Sequence, residues 1–323
     1  MRLLVLLFFA FWSISLPARA EPNQVRLGLL KFGTVAWEID TVRHHGYDRK
    51  NNLALDIREL ASNEAAKIAL QTGAVDLIVT DWVWVARQRF EGNRYTFIPY
   101  SRAVGAVLVP DGSAITAIGD LKGSRLGIAG GSLDKSWLLL RALMRRELGW
   151  DPESAADPAF AAPPLLSAEF DRGRLDAILT YWHYGARLEA SGAKPLISVA
   201  QIIERLGIQE ELPMLGYAMR EDWAAEHPDA LAGFVRASRA AKDLLAQSED
   251  EWHRLAPQIG AEDPKILAEL RDGYRDGIPM RWGDPERAAA ARLFALLAEI
   301  GGRDLVGSAV ELPPGTFWPA VRF

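Results

Sequence analysis

Gly73-Ala-Val-Asp76-Leu-Ile78-Val-Thr80-Asp81-Trp82-Val-Trp-Val-Ala86-Arg87 has a near copy one hundred residues later: Gly173-Arg-Leu-Asp176-Ala-Ile178-Leu-Thr180-Tyr181-Trp182-His183-Tyr-Gly-Ala186-Arg187. Seven of the fifteen positions are identical without a gap, where unrelated stretches of ordinary composition share roughly one. Each copy follows a short helical pattern, at residues 64–72 and 164–172, that ends on a glycine, the residue that most easily takes the left-handed helix cap. Each unit therefore reads as helix, glycine, buried strand, Thr-x-Trp, helix. Such a unit puts Thr-x-Trp at the carboxyl end of a strand, where open α/β sheets place their ligands. Two units predict two sheets that face one site.

The rest of the chain extends this pattern. Residues 25–30 alternate as a buried strand, and Lys31-Phe32-Gly33-Thr34 turns into a helix with Thr34 as its expected N-cap. A strand at 53–60 and a Ser62-Asn63 cap lead into the first repeat unit, and strands follow at 95–99 and 103–110. A second series then begins, with a strand at 125–129, the turn Gly130-Gly131-Ser132, a helix at 132–148 and, after a proline-rich loop, the second unit. Strands alternating with helices of this length predict an α/β fold with parallel, doubly wound sheets. The expected organisation is a lobe of residues 21–102 plus 214–323 and a second of 103–213, joined by two hinge crossings near Ser101 and Pro213.

Composition narrows the function. Arg2, the apolar run 3–12 and Ala18-Arg19-Ala20 read as a signal peptide over residues 1–20, cleaved on export. The apolar run is half the length a membrane-spanning helix needs. The chain has no cysteine, which excludes disulfides, thiolate metal sites, cysteine nucleophiles and a lipid-modified cysteine anchor. Together these predict a periplasmic protein. Without Arg2 and Arg19 the basic count falls from 37 to 35 against 42 acidic residues, a net charge near −7, and nucleic acid is an unsuitable partner for such a surface.

The order of elements, the Asp120-Leu-Lys122-Gly123 approach to Gly130-Gly131-Ser132, the repeated units, Trp223-x-x-x-His227-Pro228 and the closing Gly315-Thr-Phe-Trp318 resemble periplasmic substrate-binding proteins of ABC importers, the nitrate/sulfonate/taurine (NitT/TauT) branch. The resemblance implies a type II periplasmic-binding-protein fold whose two lobes close on a small-molecule ligand. It also implies delivery to the transmembrane subunits of an ABC permease, with the binding protein a monomer. An accessory protein of the same fold, docked on a periplasmic dehydrogenase or sensor with its ligand lost, is the alternative. A Ser/His enzyme is the weaker one, since no Gly-x-Ser-x-Gly elbow occurs. A related branch makes the thiamine pyrimidine with a cysteine-rich motif, which this chain cannot have.

Candidate ligand-binding residues are those at the strand-to-helix joints, where backbone N–H groups converge. These are Phe32, Thr34 and Trp37 at the first joint, Thr80, Asp81 and Trp82 at the first repeat, Gly131 and Ser132 at the glycine turn, and Tyr181, Trp182 and His183 at the second repeat. Thr80, Thr180 and Ser132 are equally suited to be N-caps, and Asp81 suits a first helical turn. Of Trp82 and Trp182, one is expected to pack beneath its joint and the other to touch ligand. His44-His45 face different directions on a helix, so no metal is expected, and no catalytic residue or cofactor. An oxyanion ligand would draw on Lys31 or Arg102, an amine on Asp81.

Overall fold

The computed structural model describes residues 21–323, and the expected signal peptide lies outside the described residues. Ten strands alternate with helices: β1 (Asn23–Leu30), β2 (Leu53–Leu60), β3 (Leu77–Asp81), β4 (Tyr95–Ser101), β5 (Gly105–Val109), β6 (Arg125–Ala129), β7 (Asp157–Ala161), β8 (Ala177–Tyr181), β9 (Lys194–Ser198) and β10 (Leu215–Arg220). They form two five-stranded sheets, ordered β2-β1-β3-β10-β4 and β7-β6-β8-β5-β9. The chain crosses between them twice, at residues 102–104 and 206–214.

The sheets are doubly wound but not wholly parallel. In each, three strands run parallel (β2, β1, β3 and β7, β6, β8), while β10 and β5 pair antiparallel with both neighbours. These two strands are the ones that enter directly from the other sheet. A parallel neighbour needs a crossover that returns the chain to the same end, and a hinge crossing supplies none.

The repeated residues do the same work in both sheets. Gly73 and Gly173 take positive φ of 71° and 69° as their helices end. Asp76 accepts the backbone N–H of Arg26 at 2.8 Å, and Asp176 that of Arg125 at 2.8 Å, each also pairing with the guanidinium of the same arginine. The aspartate thus ties its own strand to the start of the adjacent parallel strand. Arg87 and Arg187 donate to carbonyls of the C-terminal region, at Leu305 and Gly260 respectively.

That C-terminal region braces both sheets. Helix Pro228–Gln247 buries Leu231, Phe234 and Ala237 against β1, β4 and β10. Helix Pro264–Asp276 lies on helix Trp182–Ala190, and Gly273 is needed there because a Cβ would stand 2.9 Å from the Trp182 ring. Helix Asp284–Gly301 places Leu293, Phe294 and Leu297 in one continuous core with Trp82 and Trp137.

Candidate functional site

The carboxyl ends of β1, β3, β6 and β8 converge on one cavity, with about 90 Å³ in which the centre of a water molecule can move. The two repeat units, in different sheets, meet across it. Its walls include Phe32, Gly33 and Thr34 after β1, Thr80 and Asp81 at the end of β3, Gly131, Asp134 and Lys135 after β6, and Tyr181, Trp182 and His183 at the end of β8. Tyr100 comes from the end of β4, Val104 from the first crossing, and Asn63, Glu64 and Lys67 from the start of helix Asn63–Gln71.

Three expected residues are absent from the wall. Trp37 is buried behind it, edge-on to Trp182 at 5.8 Å and to Trp252 at 6.0 Å. Trp82 is fully buried beneath its joint against Phe317, whereas its equivalent Trp182 lines the cavity. Ser132 is exposed outside. The capping roles also differ from expectation. Asp81 and Asp134, not Thr80 and Ser132, accept the free N–H groups of their helices, from Trp84 at 2.8 Å and Ser136 at 2.9 Å. Thr180 belongs to β8, and its buried hydroxyl has no partner. Thr34 makes no side-chain cap, and its hydroxyl stands 3.5 Å from that of Tyr100. Thr80 and Thr180 stand one residue before their caps because β3 and β8 continue through them, and Ser132 stands two residues before Asp134 in the turn after β6.

Of the two cations considered for an oxyanion, Lys31 is exposed and Arg102 is paired with Glu211 at 2.6 Å; neither lines the cavity. His45 bonds Glu251 at 3.0 Å, and the described residues hold no group of three His, Cys, Asp or Glu side chains suited to a metal ion.

Two lysines line the cavity beside the acids Glu64, Asp81 and Asp134; Lys67 is half-buried, and Lys135 is the buried one. It is 5% exposed, its ammonium is 3.8 Å from Asp134 and 5.5 Å from the centre of the Tyr181 ring, and it makes no hydrogen bond to any described residue. It is also the first residue of helix Lys135–Leu148, where the helix dipole opposes a positive charge. That misplaced charge is the signal in the sequence that could have found it. Asn63 carries a weaker signal, a second polar residue directly after the Ser62 cap.

Two hydrogen bonds span the cavity from one sheet's joints to the other's. Asn63 Nδ2–H donates to the Tyr181 hydroxyl at 2.8 Å, and His183 Nε2–H donates to the Phe32 carbonyl at 3.0 Å. A carbonyl can only accept, so the proton is assigned to Nε2, which leaves Nδ1 buried and unpartnered. Burial, with a smaller contribution from the Arg187 charge, pushes the His183 pKa down to about 4. A histidine neutral when folded and free to protonate when unfolded costs nothing above pH 6.5 and destabilises the folded state as pH falls. The expected loss is roughly 2 kcal/mol at pH 5. Urea unfolding at pH 7 and pH 5 should show a smaller difference for His183→Gln than for the wild type, and equal differences would contradict this environment.

This architecture is that of the two-lobed periplasmic binding proteins of type II. The chain matches the model of the family described as NMT1/THI5 like over residues 41–251, and it belongs to that family. No curated protein matches it. Among solved structures, it is similar to the alkanesulfonate-binding protein SsuA from Xanthomonas axonopodis pv. citri bound to MOPS. Identity is 19% over 93% of this chain and 99% of that one, with a TM-score of 0.71. The periplasmic aliphatic sulphonate binding protein SsuA from Escherichia coli is 20% identical, over 94% of each chain, with a TM-score of 0.70. The periplasmic nitrate-binding protein NrtA from Synechocystis PCC 6803 is 13% identical, over 76% of this chain and 69% of that one, with a TM-score of 0.59.

Proposed function

We propose that the protein is the solute-binding component of an ABC importer, exported to the periplasm, and that its lobes, residues 21–102 with 214–323 and residues 103–213, close on a small organic anion. The observation that carries this reading is Lys135, a buried ammonium on the cavity wall that has Asp134 at 3.8 Å and makes no hydrogen bond to any described residue. A buried charge is costly unless it is paired and hydrogen-bonded, and an acidic group on the ligand supplies what the protein does not. Tyr181 supports it with a hydroxyl that already accepts from Asn63 and keeps its own proton, its pKa raised well above the ordinary value by burial. Phe32 and Trp182 offer apolar surface to the body of the ligand. A cavity of about 90 Å³ suits a small solute.

Capture then needs no bond chemistry. The ligand touches both lobes only when they are closed, so it shifts the population by its differential affinity, and a permease reads the closed form. The bonds Asn63–Tyr181 and His183–Phe32 also favour a second reading, an accessory protein that closes without ligand. Native mass spectrometry of protein purified from the periplasm without unfolding separates the two. An anion that is released on denaturation and rebinds supports capture, whereas no adduct and no thermal shift with sulfonates, carboxylates or nitrate leaves the accessory role. N-terminal sequencing should begin at Glu21. A chain that retains Met1 and sediments with membranes contradicts export.

A further inference from the structure

We propose a second ligand site, distinct from the cleft, in a trough between helix Pro228–Gln247 and the C-terminal tail, built to take an organic anion with a large apolar body. The trough has a volume of about 700 Å³, against about 90 Å³ for the cleft. Its floor is apolar, formed by Ile98, Leu231, Phe234, Val235, Trp318 and Val321. Four of its five charged lining side chains are basic, Arg236, Arg239, Lys242 and Arg322, and the fifth is Asp229, on a chain whose net charge is −5. Ligand pockets characteristically combine such a floor with a few placed charges.

The trough is built rather than left by a loose tail. Trp282 and Phe323 exchange backbone hydrogen bonds at 2.7 and 3.3 Å, and Arg287 donates to the carbonyls of Trp318 and Val321 at 3.0 and 2.9 Å. These bonds hold the tail in place from the side of helix Asp284–Gly301. Of the cations, Lys242 is spent on Glu38, Arg322 on Asp284 and Arg239 in part on Asp243. Among the described residues Arg236 bonds only the neutral side chain of Asn51, at 2.9 Å, and is the guanidinium with charge to offer an acid. Arg239, at 5.4 Å from the centre of the Phe323 ring, flanks it one helical turn away.

The deep end of the trough adjoins the cleft through a buried polar cluster. Tyr217, Ser238 and Lys242 line the trough, and all three bond Glu38, on the helix that begins beside Thr34. The Lys242 ammonium lies 4.3 Å from the centre of the Tyr100 ring, which lines the cleft. An occupant of the trough therefore rests on the group that supports the cleft wall.

The test uses 1-anilinonaphthalene-8-sulfonate, read by energy transfer from tryptophan, against its uncharged analogue N-phenyl-1-naphthylamine, on the full exported chain. The sulfonate should saturate one site. Its affinity should fall at least about tenfold in Arg236→Gln/Arg239→Gln, through loss of charge-assisted contacts, and should disappear in Ala232→Trp, which fills the trough from an exposed helical position. The uncharged analogue should bind more weakly and ignore the arginine substitutions. Lys135→Gln, in the cleft, should leave dye binding unchanged. Dye binding that survives both trough variants, that is lost in Lys135→Gln, or that grows as thermal melting shows a loosened fold would overturn the proposal. Retained wild-type melting in Arg236→Gln/Arg239→Gln keeps the result interpretable should Ala232→Trp fold poorly.

Discussion

Lys135→Gln should weaken binding of the anion released from natively purified protein by about thirtyfold or more while raising the thermal stability of the ligand-free protein. Removing one member of a buried charge pair costs ~2–5 kcal/mol of binding, and thirtyfold is the lower end of that range. The stability change has the opposite sign. Without ligand the ammonium has Asp134 at 3.8 Å, no hydrogen bond, and the positive end of its own helix behind it. Replacing it with a neutral side chain removes that unfavourable placement, the usual relation between a binding group and the stability of its scaffold. Calorimetric titration and thermal denaturation of the same preparation check both halves. Unchanged affinity together with a lowered melting temperature would make Lys135 a structural partner of Asp134 and remove the main support for an anionic ligand.

The second large effect is on folding. Glu38→Gln should cost about 3–5 kcal/mol, because it strands a buried ammonium. Glu38 is wholly buried and accepts from Tyr217 at 2.9 Å, Ser238 at 2.6 Å, Tyr274 at 3.0 Å and the ammonium of Lys242. These partners come from β10, helix Pro228–Gln247 and helix Pro264–Asp276, so one carboxylate joins the first sheet to the helix that lies on the second lobe's Trp182–Ala190. An amide can replace part of the accepting role, but its own N–H groups oppose Lys242. Lys242→Met alone should also destabilise, by leaving the carboxylate unpaired. The two substitutions together should cost less than the sum of the two, the signature of a coupled buried pair. Urea unfolding measures this, and a loss below about 1 kcal/mol for Glu38→Gln would show that water from the adjoining trough solvates the cluster.

Much of the architecture was legible locally. The repeat, with Gly73 and Gly173 ending helices and Asp76 and Asp176 anchoring neighbouring strands, placed two βα units correctly, because each residue acts within its own unit or on the strand beside it. The alternation of strands and helices identified the layers, and the joints identified the cavity, since eight of the eleven candidate residues line it. The antiparallel course of β5 and β10 was not legible. Alternation reports which face of a strand is buried and carries no direction, which here follows from the two crossings.

The side-chain roles divide along the same line. By itself the sequence determined the class of fold, two equivalent joints facing one site and the absence of thiol chemistry, because these follow from short-range periodicity, turn chemistry and composition. Tertiary structure alone decided that Trp82 packs while its equivalent Trp182 faces the cavity, that Tyr181 meets Asn63 across 118 residues, and that Glu38 meets Lys242 across 204. It also decided that Lys135 is enclosed rather than solvated. Burial and pairing of this kind depend on which surfaces the two crossings and the C-terminal helices bring together, and no local pattern encodes that meeting.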